Sequence, residues 1–206
     1  MIPRVRDSLV YQEGDEAHTM YVLQSGLVKL SRKVDQRRDL ILRVVQPGEL
    51  FGDRVFAGDP HRDATAQALT DCVLFEMSHE EFVAQCTAKP ELWNWVASQL
   101  ESRIEQVERR VQWVSFYRVE QRILHLLADL AGALPEQPGR AAEIPLAQSE
   151  IASLVGATRE TTSSTLNQLE RRGLLILGRR YVEVPSVDAL RGALNGAADV
   201  TLPPQV

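Results

Sequence analysis

From Trp93 to Val114 the residues Trp93, Ala97, Leu100, Ile104, Val107, Val111 and Val114 recur at intervals of 4, 3, 4, 3, 4 and 3. A 3.5-residue period sustained over such a run predicts a helix. The stripe it leaves is narrow, of the kind that seats a partner helix. Glu101, Arg103, Glu105, Glu108, Arg109 and Arg110 flank it. The spacing predicts dimerisation through these seven positions. The alternative is an amphipathic helix that lays the same stripe on its own N-terminal domain.

This helix divides the chain. Ahead of it, short apolar segments alternate with turn signals: Val10-Tyr11, Met20–Leu23, Leu27–Ser31, Leu40–Val45, Ala64–Ala68 and Cys72–Met77, punctuated by Gly14-Asp15, Ser25-Gly26 and Pro47-Gly48. Residues 35–39 read as a polar hairpin tip. Frequent strands with Gly and Pro turns predict a sandwich or barrel, here a jelly roll. Ser78 is a helix N-cap ahead of His79-Glu80-Glu81-Phe82, and Phe116-Tyr117 reads as a hinge.

Behind the long helix, Val119, Ile123, Leu126, Leu127 and Leu130 mark another helix, followed by a loop over residues 131–140. Residues 146–173 then read as two short helices about a turn. The first runs from about Gln148 to Val155, and Gly156-Ala157 breaks it. Thr158 is a suitable N-cap for the second, and Gly173 a C′ stop. Thr162, Leu166 and Leu169 form its inward stripe. Arg159, Glu160, Ser163, Ser164 and Asn167 lie opposite. Those side chains suit base edges: Arg for guanine, Glu for cytosine, Asn for adenine. Leu174–Leu177 and Tyr181–Val184 about Gly178-Arg179-Arg180 read as a two-stranded wing, and Val187–Leu194 as a closing helix. A helix pair followed by a hairpin is a winged helix-turn-helix. Taken alone, the helix pair is equally an ordinary helical hairpin with a solvated face.

Glu150-Ile151-Ala152, Val155-Gly156, Thr158-Arg159-Glu160-Thr161 and Leu169-Glu170 with Gly173-Leu174 resemble the family of the cyclic-AMP receptor protein and the fumarate–nitrate regulators. The N-terminal part is similar to that family's cyclic-nucleotide roll through Gly14-Asp15, Ser25-Gly26, Pro47–Gly52 and Arg62. The family's leading helix is expected to be short or absent. The resemblance implies an α+β chain with four parts. Residues 1–91 form a cyclic-nucleotide-binding-like β jelly roll, 92–117 a dimerisation helix and hinge, 118–197 a winged helix-turn-helix, and 198–206 a flexible tail. It further implies a cytoplasmic homodimer on a double-stranded DNA operator, probing DNA with Arg159, Glu160, Ser163, Ser164 and Asn167, and touching phosphate with Arg179 and Arg180. Activation through RNA polymerase is the expectation from the family alone. A sensor module without DNA binding is the alternative, and Arg159-Glu160 and the wing argue against it.

The effector pocket departs from the family. A Gly-Glu pair and an Arg-Ser pair ten residues on hold the nucleotide there; the counterparts are Gly52-Asp53 and Arg62-Asp63. Asp63 accepts where a donor is needed and repels phosphate; two charges about 4 Å apart interact by about 4 kcal/mol at an effective dielectric near 20. Asp53 is a methylene short, and the adenine-reading threonine falls on Val107, which has no hydrogen-bonding group. The expectation is regulation without cyclic AMP and no cofactor, with Arg62 and Asp63 forming an internal ion pair in place of a ligand. Control by cyclic AMP or another small effector is the alternative.

Charge and composition bound the rest. Net charge is −5, so DNA binding rests on placed arginines rather than bulk charge. Residues 1–91 hold 11 basic and 15 acidic side chains, residues 138–196 hold 7 and 6. Cys72 and Cys86 are too few for an iron–sulfur cluster, and Cys72 reads as a core residue on a strand. His18, His61, His79 and His125 are isolated, so neither a haem ligand, a metal site nor a catalytic pair is expected. No apolar run is long enough to span a bilayer, and a signal peptide is not expected.

Overall fold

The computed structural model describes residues 1–35, 38–53, 61–134 and 141–197. They form two compact units, Met1–Arg109 and Arg110–Val206. In the first, eight strands make two antiparallel four-stranded sheets. One is ordered β1 (Ile2–Arg4), β8 (Cys72–Ser78), β3 (Thr19–Ser25), β6 (Leu50–Phe51); the other β2 (Leu9–Tyr11), β7 (Thr65–Ala68), β4 (Val28–Asp35), β5 (Arg38–Val45). Side chains alternate across the pleat, so Tyr21, Leu23, Phe51, Cys72 and Leu74 meet Val28, Leu30, Val45, Ala66 and Ala68 between the sheets. The two-residue β6 was not expected; it is defined by pairing with Tyr21 and Val22 of β3 rather than by its own pattern. Residues 36–37 at the expected hairpin tip, 135–140 of the expected loop and the 198–206 tail lie outside the described residues.

The outer face of the first sheet is also apolar. Met20 and Leu50 pack there against Phe82 and Cys86 of α1 (His79–Ala88) and Val96 of α2 (Glu91–Phe116). Ser78 caps α1 through a reciprocal bond pair with Glu81, as a Ser-x-x-Glu sequence allows.

α2 settles which face meets the roll. Gln99, Arg103 and Gln106, spaced four and three apart, face the chain around Leu50. Leu50 N–H donates to Gln99 Oε1 at 3.1 Å, Arg103 donates to Leu50 O at 3.0 Å and to Asp53 Oδ2 at 3.0 Å, and Gln106 donates to Glu49 Oε1 at 2.8 Å. The heptad stripe is left on the surface: Ile104, Val107 and Val111 are each at least 60% exposed. The reading in which that stripe lies on its own roll is therefore corrected, because another face of α2, Leu92, Trp95 and Val96 followed by Gln99, Arg103 and Gln106, takes that place.

In the second unit, α3 (Val119–Ala133) packs with α4 (Gln148–Val155), α5 (Arg159–Arg171) and α6 (Val187–Ala197). The wing has three strands, β10 (Ile176–Gly178), β11 (Tyr181–Val184) and β9 (Ala142–Ile144), in that order with β11 central. β9 is defined by its pairing with β11 rather than by a strand pattern of its own. The second unit also starts inside α2, ahead of the expected hinge. The last turns of α2 belong to it: Arg110 donates to Ser153 O at 3.0 Å, Trp113 stacks on His125, and Val114 approaches Gly156.

Candidate nucleic-acid interface and effector pocket

α5 is built as a presented helix. Thr158 Oγ1 accepts from Thr161 N–H at 3.2 Å and starts it. Thr162, Leu166 and Leu169 are fully buried. On the outer side Arg159, Glu160, Ser164 and Asn167 are exposed, while Ser163 is half-buried and flanks the others. Among the described residues Arg159, Glu160, Ser164 and Asn167 form no side-chain bonds, so their donors and acceptors are uncommitted. Glu160 lies in the first turn, where the helix dipole favours it.

Three side chains fix α4, α5 and the wing, and sequence reading missed their roles. Arg122 on α3 donates to Val155 O at 2.8 Å and Gly156 O at 3.2 Å, satisfying carbonyls at the end of α4. Arg110 takes Ser153 O of the same helix, and its half-burial lowers its pKa. Gly156 closes α4 at φ +65°, a left-handed conformation that favours glycine. Glu170 of α5 accepts from Leu177 N–H at 2.8 Å and ties the wing to the recognition helix. An unmatched arginine on a helix ahead of a helix-turn-helix was the available signal.

The wing turns through Arg179-Arg180, both exposed, between paired Gly178 and Tyr181. Arg180 has φ +68°, uncommon for a side chain with a Cβ. Gly178 is required by space: a Cβ there would come within 2.3 Å of Tyr181 ring carbons.

In the roll, Arg62 is 5% exposed. Its main chain pairs with the 14–15 turn, Arg62 N–H to Asp15 O and Gly14 N–H to Arg62 O, each 2.8 Å. Its guanidinium points inward. Nη1 donates to Gly52 O at 2.8 Å, and Nη2 to Thr19 O at 2.7 Å and Thr19 Oγ1 at 3.1 Å. It lies 4.3 Å from the centre of the Tyr11 ring, within cation–π range. Tyr11, Tyr21 and Phe51 stack on one another at 5.3–6.2 Å. Burial raises the Tyr11 pKa, against the pull of Arg62. The expected Arg62–Asp63 ion pair is corrected. Asp63 instead accepts from Arg32 at 2.8 Å, and burial alternates along Arg62, Asp63 and Ala64, so neighbours face opposite ways. Asp53 is held by Arg103 of α2. Gly52 borders Arg62, with which a Cβ would collide at 2.7 Å. Val107 sits on the exposed stripe of α2.

A roll with an inward arginine, a long helix with an unfilled heptad stripe and a winged helix-turn-helix together define a DNA-binding transcription regulator with an effector-type domain. A family model for the cyclic nucleotide-binding domain matches residues 5–89, and one for the Crp-like helix-turn-helix domain matches residues 121–193. The chain belongs to the Crp/Fnr family of transcription regulators. It is 28% identical over 189 residues to the cyclic AMP receptor protein of Thermus thermophilus, covering 92% of this chain and 85% of that protein. It is 29% identical over 172 residues to the cAMP-activated global transcriptional regulator CRP of Haemophilus influenzae, covering 82% and 76%. Its fold matches a CRP-family transcriptional regulator of Thermus thermophilus at a TM-score of 0.75 and 26% identity, over 95% of this chain and 97% of that one. The c-di-GMP responsive regulator CLP of Xanthomonas campestris matches at a TM-score of 0.70 and 26% identity, over 90% and 93%. Among the described residues no helix is long and apolar enough to cross a membrane.

Proposed function

We propose that the chain binds a two-fold symmetric operator as a homodimer and does so without a cyclic nucleotide. The exposed stripe of α2 supports the dimer, and helix-turn-helix dimers place half-sites roughly 34–36 Å apart. The observation that carries nucleotide independence is the interior of the roll. Arg62 directs its terminal N–H groups to Gly52 O and Thr19, under the Tyr11 face. Asp63 and Val107 stand where donors are needed. Transcription activation in the cytoplasm, in contact with RNA polymerase, completes the proposal and rests on family resemblance alone.

Arg159 takes guanine O6 and N7, Glu160 accepts from a cytosine amino group, and Ser164 and Asn167 add adaptable contacts, with Ser163 at the edge. Arg179 and Arg180 position the wing on phosphate. Operator selection followed by titration with and without millimolar cyclic AMP and cyclic GMP tests the reading. The expected affinities agree within about twofold, less than 0.5 kcal/mol. A gain of a hundredfold with either nucleotide overturns it. Sedimentation of the Ile104→Glu, Val111→Glu double variant should show monomers; a persisting dimer places the interface elsewhere.

A second reading has its own support. Arg62 Nε is buried without a partner among the described residues, an open donor that an anionic effector would satisfy. The same nucleotide titration separates the two readings.

A further inference from the structure

The first unit holds a cavity of about 430 Å³ on the face of the β1-β8-β3-β6 sheet turned away from Arg62. Its floor is Met20, Val22 and Met77, and its walls are Phe82 of α1 with Leu92 and Trp95 of α2. The volume falls within the roughly 300–1,000 Å³ of small-molecule sites, which combine an apolar lining with a few placed polar groups. Gln85 and Lys89, both exposed, are the hydrophilic side chains of the lining. They follow Phe82 at three and seven residues, on one side of α1 and its C-cap. Among the described residues Lys89 has no ion-pair partner. Phe75 of β8, which also lines the cavity, is 40% exposed, so the apolar lining is open to a ligand.

We propose that this cavity is a ligand site for a small amphiphilic monocarboxylic acid. The chain or ring of the acid lies against Met20, Val22, Met77 and Trp95. Its carboxylate meets the Lys89 ammonium and the Gln85 amide. A fully apolar ligand would leave the Lys89 charge without a partner, and a cationic amphiphile would be repelled by it. The site is separate from the roll interior: Met20 and Val22 project to the outer face of β3, whereas Tyr21 projects inward. Occupation bridges β3 to α1 and α2, so the ligand braces the helix that carries the exposed stripe. The inference does not rest on nucleotide independence, since its test reads binding directly.

The full chain is titrated with sodium decanoate, below its micellar range and at low ionic strength, by calorimetry and by tryptophan fluorescence. 1-Decanol and decyltrimethylammonium are run in parallel. Decanoate should bind once per chain, quench or shift the fluorescence through Trp95, and bind about two- to fivefold tighter than either control, as a solvent-screened ion pair implies. Lys89→Gln, at an exposed position, should lose about two- to fivefold for decanoate and leave decanol unchanged. Val22→Trp should abolish decanoate binding in a chain whose circular dichroism and operator binding are retained. Absence of decanoate binding, equal binding of decanol, or undiminished decanoate binding by Lys89→Gln overturns the proposal.

Discussion

Arg180 offers a direct test of how the wing is built. It lies in the left-handed region at φ +68° at the exposed tip of the hairpin. A residue with a Cβ loses about 1–2 kcal/mol there. Glycine removes that strain but gives the unfolded chain extra freedom, a cost of about 0.5–1 kcal/mol. Arg180→Gly should therefore stabilise the second unit by roughly 0.5–1 kcal/mol, a rise of about 2–6 °C for a unit of this size. Arg180→Ala keeps the Cβ and the strain, so its melting temperature should stay near the wild-type value. Both variants lose the guanidinium. Both should weaken binding to every DNA sequence alike and lower the salt slope by about one per lost phosphate contact. Calorimetry of the full chain and titrations at several salt concentrations supply both readouts. If Arg180→Gly melts no higher than Arg180→Ala, the strain argument is wrong. If the salt slope survives in both variants, the wing tip does not anchor DNA.

Other substitutions test the frame behind the recognition helix. Thr162 Oγ1 is fully buried without a partner among the described residues, so Thr162→Val should stabilise the second unit by up to about 1 kcal/mol in urea titrations; destabilisation would show that the hydroxyl is satisfied. Arg122→Ala frees the carbonyls of Val155 and Gly156 and should cost about 1–2 kcal/mol, weakening operator binding while sedimentation still shows the wild-type oligomer. His125 stacks between Trp113 and Tyr117, at 5.0 and 5.4 Å, and desolvation lowers its pKa, against Asp129. The unfolded chain then takes up the proton first, so this contribution to stability is present above about pH 6.5 and is lost as pH falls through the lower folded value. His125→Phe should flatten that part of the pH–stability curve, and an unchanged slope would assign it to another group.

Elements with a strong period and punctuated ends were legible in the sequence. Ser78, Thr158, Gly156 and Gly173 end their helices where the pattern placed them, since capping is local chemistry. β6 and β9 were not legible, because two- and three-residue strands exist only through their partners, β3 and β11. The outward face of α5 read well because inward Thr162, Leu166 and Leu169 define its opposite. The supporting arginines did not. Arg110 and Arg122 reach main-chain carbonyls more than thirty residues away, and carbonyls leave no mark in a sequence. Arg62 misled for a related reason: adjacency to Asp63 suggested a pair, but Arg62 turns inward to Gly52 and Thr19 while Asp63 turns to Arg32.

The charge balance constrains how such a chain selects a site. With a net charge of −5, the sequence-independent attraction to phosphate is confined to a few arginines. Arg172, the C-cap of α5, is already engaged by Glu120 of α3, so the proposed backbone contacts of a half-site fall to Arg179, Arg180 and the exposed Arg171. Non-specific binding is then expected to be correspondingly weak, with base contacts supplying a larger share of the total. On the proposed function those contacts would come from Arg159, Glu160, Ser164 and Asn167, held by a helix whose N-cap, C-terminal wing tie and buried stripe are each fixed by named bonds or packing. Rigidity then substitutes for charge: a side chain presented in one geometry discriminates between bases without first being held to DNA by a broad basic surface. Loosening α4 or the wing therefore costs specificity before it costs residual affinity, because backbone contacts tolerate a shift in register that bidentate base contacts do not.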